Sequence, residues 1–360
     1  MSSTLEQEVL PSSAPAPRPP TTGTTHLPTR RRGAAAFVEE RFLVPTYSSP
    51  SPSRWVATHR ALSIPLQLQG AVRNYVARRE GRELRITGIG RPKRLEPHLR
   101  QLLGELRDLG TTSTRLVWDP GALDCPDADI VIAEVHRWVA PRFRNAGWLL
   151  MPDSVRWVGD TETLPPPAPC RSLRDDLRKL RRYQYTLEQA DDWSCWEQFY
   201  DTMLVPQALS RFGNAAWLPS RRFLREIAAR GVLHFVRLDG RRLAGICTVR
   251  HGDTIWLPVS GVLNGDPVLL RQGVSAAAYA QIFAWARGQG ARRIDAGRTG
   301  PFVNDGIPRT KAKWGLRPVA DPLSYLLALR IKPSEPLRRA FASQPVMVES
   351  LDGLKVYPGE

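Results

Sequence analysis

The spacing of apolar residues predicts alternating strands and helices in the first half of the chain. Apolar and polar residues alternate over 82–88, and a continuous apolar run covers 130–135, so both segments predict strands. We expect helices over 66–79 and over a leucine series that ends before Gly110. The leucines of that series are Leu99, Leu102, Leu103, Leu106 and Leu109. Strands that alternate with helices indicate an α/β layer fold.

The second half of the chain has a different order of elements. We expect an aromatic helical stripe over 193–203, a helix from 220, and three strands between 232 and 260. The segment 274–287 is apolar nearly all round, which predicts a buried helix. A strand at 292–296 follows it.

Composition marks the domain boundaries. Residues 1–33 are rich in Ser, Thr, Pro and Ala and cannot bury enough apolar surface to offset their ordering entropy, so we expect a disordered tail. Four prolines stiffen 161–170, which we interpret as a linker. It would separate an α/β subdomain at 34–160 from a second domain at 171–332, with a C-terminal extension at 333–360.

A polar stretch follows the last predicted strand. Residues 295–315 read DAGRTGPFVNDGIPRTKAKWG, a composition that suits a loop for a polar, anionic ligand better than a core. Lys311 and Lys313 stand out because the chain has only 6 lysines among its 51 Lys and Arg residues. The alternatives are a solvated loop for the lysines and a simple turn for Asp305-Gly306.

The net charge of +16 indicates an anionic partner, such as a phosphate-bearing cosubstrate, a tRNA or an anionic acceptor. Abundant Arg, Ala, Pro and Gly also fit a GC-rich bacterial genome, so codon bias explains part of this charge. A predicted helix over 172–182 carries several of the basic residues, either as a solvated face or as a surface for phosphates.

The cysteines and the hydropathy pattern exclude several classes of protein. The four cysteines form no CxxC pair, which argues against a zinc site or a disulfide framework. No apolar run reaches the ~18 residues of a membrane helix, and the N-terminus lacks the regions of a signal peptide. We therefore expect a cytoplasmic protein without a membrane span.

The predicted order of elements in the second half resembles the core of GNAT-type acyltransferases. The segment 297–315, GRTGPFVNDGIPRTKAKWG, is similar to the signature of the BioF2-like acetyltransferase domain family, close to the FemAB-like transferases. Segments 204–213 and 239–254 also resemble that family. Because FemAB-like proteins pair two GNAT-like subdomains, the resemblance implies an α/β (α+β) protein with two mixed central sheets flanked by helices.

The resemblance implies an N-acyltransferase that moves an acyl group from an activated donor to an amine. The donor would be acyl-CoA as a cosubstrate, and the acceptor an amine of a small molecule, a cell-envelope component or glycan, or a natural product. The first alternative is a FemAB-like transferase that uses aminoacyl-tRNA, since the turn at 271–276 has one glycine where acyl-CoA enzymes usually have two. The second is a non-catalytic binder of nucleic acid or anionic glycan.

The resemblance also suggests roles for individual residues. Asp305 would accept the proton of the attacking amine, Asn304 would orient the amine, and Lys311 would neutralise an anionic group. No metal ligand is predicted. The predicted residues for binding donor or substrate are Arg211, Arg271, Gly273, Ser275, Arg298, Lys313, Trp314 and, on a facing helix, Tyr200.

Overall fold

Two mixed β-sheets form the centre of the fold, in a computed structural model that describes residues 69–358 except 214, 215, 217 and 323. The predicted tail at 1–33 lies outside the described residues. The described strands are β1 (Gln69–Arg79), β2 (Arg82–Ile89), β3 (Leu106–Leu116), β4 (Ile130–Val135), β5 (Leu149–Pro152), β6 (Val155–Asp160), β7 (Thr186–Ala190), β8 (Gly231–Leu238), β9 (Arg241–His251), β10 (Thr254–Trp256), β11 (Ser260–Val262), β12 (Arg293–Thr299), β13 (Arg317–Ala320), β14 (Leu326–Ile331), β15 (Val346–Ser350) and β16 (Gly353–Tyr357).

Helices cover the faces of these sheets. They are α1 (Pro92–Leu103), α2 (Ala140–Asn145), α3 (Arg171–Tyr183), α4 (Trp193–Phe199), α5 (Val205–Phe212), α6 (Arg221–Ala228), α7 (Pro267–Gln272), α8 (Val274–Gly288), α9 (Gly306–Lys313) and α10 (Glu335–Ser343). A π-helical turn, Tyr200–Leu204, joins α4 to α5. No described helix is long and apolar enough to cross a membrane.

The two described sheets are both mixed. The first has the strand order β3-β1-β2-β4-β14-β5, and the second has β13-β6-β12-β10-β9-β8-β7 with β11 paired to β9. Each contains one parallel pair, β2 with β4 and β10 with β12, among antiparallel neighbours. The predicted α/β class with mixed central sheets and flanking helices is therefore confirmed.

The two sheets exchange one strand each. Strand β6 follows β5 in the chain but pairs with β12 and β13 of the second sheet. Strand β14 follows β13 but pairs with β4 and β5 of the first sheet. The predicted linker at 161–170 lies between β6 and β7. Each sheet therefore contains strands from both sides of this segment, since β6 precedes it and β14 follows it.

The segment between β12 and α9 fastens the second sheet to the core of the first. Phe302 is buried among the apolar side chains of the first sheet, α1 and α10. The Val303 N–H donates to the Pro345 carbonyl at 2.9 Å, and the Met347 N–H donates to the Pro301 carbonyl at 2.8 Å. Half of the predicted ligand loop is thus a structural connection between the two sheets.

Two predicted helices were wrong in type or extent. Residues 69–79 of the segment predicted as a helix form strand β1, because Val72, Tyr75 and Val76 pack in a hairpin with β2. The leucine helix ends at Leu103, and the chain continues as β3 from Leu106. By contrast, the strand predicted at 130–135 has the bounds of β4.

A buried ion pair joins the exchanged strand β6 to β12. Asp295 is fully buried, and its carboxylate contacts the guanidinium of Arg156, whose side chain is 15% exposed. Asp295 also accepts the Gly297 N–H at 2.9 Å. Charges removed from water need such partners, so this pair holds β6 in the second sheet.

We expect Asp295→Asn to lower the free energy of unfolding by about 3 kcal/mol, because it removes the buried carboxylate that contacts Arg156 between β6 and β12. Asp201→Asn is the matched control, since Asp201 pairs with Arg221 at the surface and such pairs contribute about 0–1 kcal/mol. Urea unfolding followed by circular dichroism measures both. Equal losses in the two variants would contradict the role of burial.

Candidate active site

The parallel strands β10 and β12 separate after three residue pairs. Their last pair is Trp256 with Asp295. Trp256 pairs with Val249 of β9, and Ser260 pairs with Ile246 of β9. The chain thus advances four residues where β9 advances three, and the extra residue forms a β-bulge. Strand β12 bulges at the same level, where Gly297 has a φ of 75°. A cleft therefore opens between the two strands.

The ladder geometry leaves one backbone donor at this opening. In antiparallel pairs, successive residues point their N–H groups alternately toward and away from the partner strand. The Val262 N–H points away from β9, because it donates to the Gln207 side chain at 2.6 Å. The Ser260 N–H, two residues earlier, points the same way, toward the side on which β12 has separated.

A pair of glycines forms the floor of the cleft. Gly245 and Gly261 are partners across β9 and β11. A Cβ at Gly245 would lie 2.4 Å from the Phe199 ring, and one at Gly261 would lie 2.6 Å from the Leu204 nitrogen. Only glycine therefore lets α4 and the π-helical turn lie directly on the sheet, and Leu204 of that turn contributes to one wall of the cleft.

The cleft has a volume of about 440 Å³. Its other walls are α5, the start of α8, and the face of α9 that carries Ile307, Thr310 and Trp314. Most of the lining is apolar. Cavities of this size with a few converging polar groups are typical ligand sites.

Within the described ranges, four titratable side chains line the cleft: Asp176, Arg211, Tyr279 and Lys313. Lys313 Nζ lies 2.5 Å from the Asp176 carboxylate, so α9 and α3 are joined by an ion pair. Burial raises the pKa of Tyr279 to about 12, and the Arg211 charge opposes this rise. The Tyr279 hydroxyl makes no hydrogen bond with the described residues, while its ring stacks on Trp314 with 6.0 Å between centroids.

The N-terminus of α8 also reaches the cleft. Gly273 caps this helix, and both Gly273 and Ser275 line the cleft. The first N–H groups of a helix have no partner within it and attract anions. The Lys179 side chain lies against Gly273, since a Cβ there would meet it at 3.4 Å. Arg271 is exposed at the end of α7 and does not line the cleft.

Lys311 faces away from the cleft. It is 4% exposed, and its Nζ donates to the carbonyls of Gly297 and Arg298, each at 3.3 Å. Burial lowers the pKa of Lys311 to about 7. A neutral amine has two N–H groups for these two carbonyls, so Lys311 holds the bulge of β12 and has no contact with an anion.

The other two residues predicted as catalytic also lie outside the cleft. The Asp305 carboxylate caps α9 by accepting the Gly306 N–H at 2.6 Å. The Asn304 amide donates to the Ser343 carbonyl at 3.1 Å. Neither residue lines the cleft, so the catalytic roles predicted for them have no geometric support here.

The predicted binding residues divide into two groups. Arg211, Gly273, Ser275, Lys313 and Trp314 line the cleft. Arg298 instead pairs with the buried Asp321 at 2.5 Å, and the Tyr200 hydroxyl donates to the Pro219 carbonyl at 2.9 Å. Trp314 is fully buried, so it contributes packing rather than an exposed stacking surface.

Sequence reasoning missed Asp176, Ser260 and Tyr279. Asp176 lay in a segment dominated by basic residues, and Tyr279 in a helix interpreted as core. Ser260 contributes through its backbone N–H, which no side-chain pattern reveals. The available signal was the glycine pair in β9 and β11, since glycine inside a strand often marks a bulge or a close approach.

Residues 170–303 match the family model described as an acetyltransferase (GNAT) domain. This match confirms the resemblance inferred from 297–315, although it ends inside that segment. No curated protein sequence matches the chain.

The chain is also similar to solved structures. FemX shares 12% identity over 79% of this chain and 94% of its own, with a TM-score of 0.39. L-PGS from Bacillus licheniformis shares 13% over 59% and 72%, with a TM-score of 0.38. A GCN5-related N-acetyltransferase from Sphaerobacter thermophilus shares 18% over 57% and 61%, with a TM-score of 0.32.

Lys311 should make the free energy of unfolding depend on pH. The pKa of Lys311 is about 7 in the folded chain, whereas its ordinary value, which applies to the unfolded chain, is 10.5. Between these two pH values the unfolded chain therefore binds more protons than the folded chain. Stability contributed by Lys311 therefore rises with pH across this window, by at most about 1.4 kcal/mol per pH unit. We expect Lys311→Met to remove this rise in urea unfolding.

Lys93→Met is the control for this measurement, because Lys93 is exposed on α1. It should leave the slope of stability against pH as in the original chain. An unchanged slope in Lys311→Met would show that the buried amine keeps its ordinary pKa.

Proposed function

We propose that this chain transfers an acyl group from acyl-CoA to an amine bound in the cleft. The match of residues 170–303 to the model of an acetyltransferase (GNAT) domain supports this proposal. The observation that carries the proposal is the opening between β11 and β12, where the Ser260 N–H faces the cleft. A fixed backbone donor at such a point stabilises the oxyanion that forms when an amine attacks a thioester.

The reaction forms a C–N bond and breaks the C–S bond. The Ser260 N–H would hold the thioester oxygen in the tetrahedral intermediate. The leaving thiolate needs a proton, which the Tyr279 hydroxyl would supply, because Tyr279 lines the cleft and a tyrosine hydroxyl is protonated at neutral pH. The attacking ammonium loses one proton before it attacks and a second as the amide forms.

The phosphates of the donor would lie at the N-terminus of α8. The N–H groups of the first turn would bind them, with Ser275 in that turn and the aliphatic part of the Lys179 side chain packed beside Gly273. One glycine is enough, since Gly273 caps the helix and leaves the first turn open. Arg271 would add charge from the end of α7.

A second donor is favoured by one observation. Helix α3, which brings Asp176 to the cleft, exposes five arginines: Arg171, Arg174, Arg178, Arg181 and Arg182. Such a face suits the phosphates of an aminoacyl-tRNA. Acyl-CoA remains the preferred donor because the α8 site lies in the cleft itself. The acceptor would be an amine of a small molecule, a glycan or a natural product.

Isothermal titration with acetyl-CoA tests the donor. We expect binding that Lys179→Met weakens about tenfold, or about 1.4 kcal/mol, because one ammonium beside the phosphates is lost. Lys355→Met, on the exposed hairpin β15–β16, should change nothing. The absence of heat with acetyl-CoA, together with tight aminoacyl-tRNA binding at ~200 mM salt, would overturn the choice of donor.

Ser260→Pro tests the oxyanion donor, since proline removes the N–H that faces the cleft and keeps the carbonyl. We expect kcat for acyl transfer to fall by about 10²–10³ with acetyl-CoA affinity retained. Ser260→Ala is the matched control, because it removes the hydroxyl and keeps the N–H. Activity in Ser260→Pro equal to that of Ser260→Ala would exclude this donor, provided that both bind acetyl-CoA.

A further inference from the structure

We propose that Asp176 receives the ammonium group of the acceptor, in exchange for Lys313, and takes its proton. This assignment rests on the amide-forming reaction proposed above and identifies the group that prepares the acceptor. The acceptor would accordingly enter as a protonated primary amine.

Asp176 is the one carboxylate among the described residues that line the cleft. The base predicted from the sequence, Asp305, is used to cap α9 and lies outside the cleft. An amine acceptor is a cation at neutral pH and must lose a proton before its nitrogen can attack. A carboxylate within the cleft serves both needs, because it attracts the cation and accepts the proton.

The ion pair with Lys313 shows that the Asp176 carboxylate can bind an ammonium group in this position. Its Nζ lies 2.5 Å from the Asp176 carboxylate, and the two side chains are 20% and 16% exposed. The pair therefore lies at the cleft wall, where it is shielded from water but still accessible. An incoming ammonium has the same charge and hydrogen-bonding groups as Lys313, so the exchange leaves Asp176 with a cationic partner throughout.

Both sides of the pair are fixed by their helices. Helix α3 is anchored by the fully buried Leu173, and α9 ends at the fully buried Trp314. The Asp176 backbone therefore stays in place when its partner changes. The long side chain of Lys313 is the mobile member, and it swings away while Asp176 holds the acceptor.

The step balances in atoms and charge. The acceptor R–NH₃⁺ transfers one proton to the Asp176 carboxylate and becomes R–NH₂. The nitrogen then attacks the thioester carbon, and the C–S bond breaks as the amide forms. Tyr279 gives its proton to the thiolate, and the second proton of the nitrogen restores the Tyr279 hydroxyl. One proton is released overall, when Asp176 passes its proton to water.

Several charged groups surround Asp176 and bear on any pH profile. Lys313 faces it from α9, and Arg211 and Tyr279 line the same cleft. On its own helix, Asp175 pairs with Arg178, and Lys179 lies against Gly273. The pKa of the Cys170 thiol is lowered, mainly by the Ser172 hydroxyl and partly by the Lys313 charge.

The test measures thiol release from acetyl-CoA with methylamine, ethanolamine, cadaverine and glucosamine. At neutral pH we expect Asp176→Asn to lower kcat/KM for the amine by about 100-fold or more, with acetyl-CoA affinity unchanged. The loss should shrink as the pH approaches the pKa of the amine, because free amine then enters without a base. A residue with only a structural role would show no such recovery.

Two further variants separate chemistry from folding. Asp176→Glu should retain most of the activity, since it keeps the carboxylate. Asp176→Asn combined with Lys313→Met removes both charges of the pair, leaves no uncompensated lysine, and should keep the defect in amine kcat/KM.

The remaining outcomes distinguish a failure of the Asp176 assignment from a failure of the proposed acyl-CoA donor. Normal amine kcat/KM in Asp176→Asn, or a loss that does not recover at high pH, overturns the assignment. A chain that binds acetyl-CoA but shows no turnover with any of these amines also overturns it, since the assignment requires an ammonium acceptor. Failure to bind acetyl-CoA counts against the proposed donor instead, and the same variants are then compared with aminoacyl-tRNA as donor.

Discussion

The early separation of β10 and β12 is the constraint on which the site depends. Both strands bulge directly after the pair of Trp256 and Asp295, so neither can continue the parallel ladder. The bulge in β10–β11 turns the Ser260 N–H to a side without a partner strand. The bulge in β12 is held by Lys311 and by the ion pair of Asp295 with Arg156. The cleft is therefore built into the sheet and needs no loop to form it.

Helix geometry gives the two lysines of α9 different roles. Lys311 and Lys313 are two residues apart, which places them about 200° apart around the helix axis. One points to β12, where burial favours its neutral form, and the other points to the cleft, where Asp176 compensates its charge. The sequence shows two equivalent cations, and only their directions distinguish a structural amine from a group available to a substrate.

The sequence predicted the class of fold and the region of the site better than it predicted the chemistry. Hydrophobic periodicity identified β4 and the buried helix α8, because their burial follows from local apolar runs. It could not identify the exchange of β6 and β14, which depends on pairing between residues far apart in the chain. It also missed Ser260, because the role of Ser260 depends on its backbone N–H. The direction of that N–H is set by strand pairing and not by the type of side chain.

The charge of the whole chain and the charge of the cleft act at different steps. The chain carries +16, but the cleft is lined by only two cationic side chains from the part of the chain that the structure describes, Arg211 and Lys313, and one of them is compensated by Asp176. Among the described residues, exposed positive charge lies on surfaces such as α3, where it attracts polyanions over a distance of about a Debye length. Under the proposed function, an anionic donor would be drawn to the protein by the surface, whereas its reactive end would meet a mainly apolar cleft in which single hydrogen bonds and one carboxylate would decide the reaction. Electrostatic attraction sets how fast the donor arrives, and the geometry between β11 and β12 sets what happens to it.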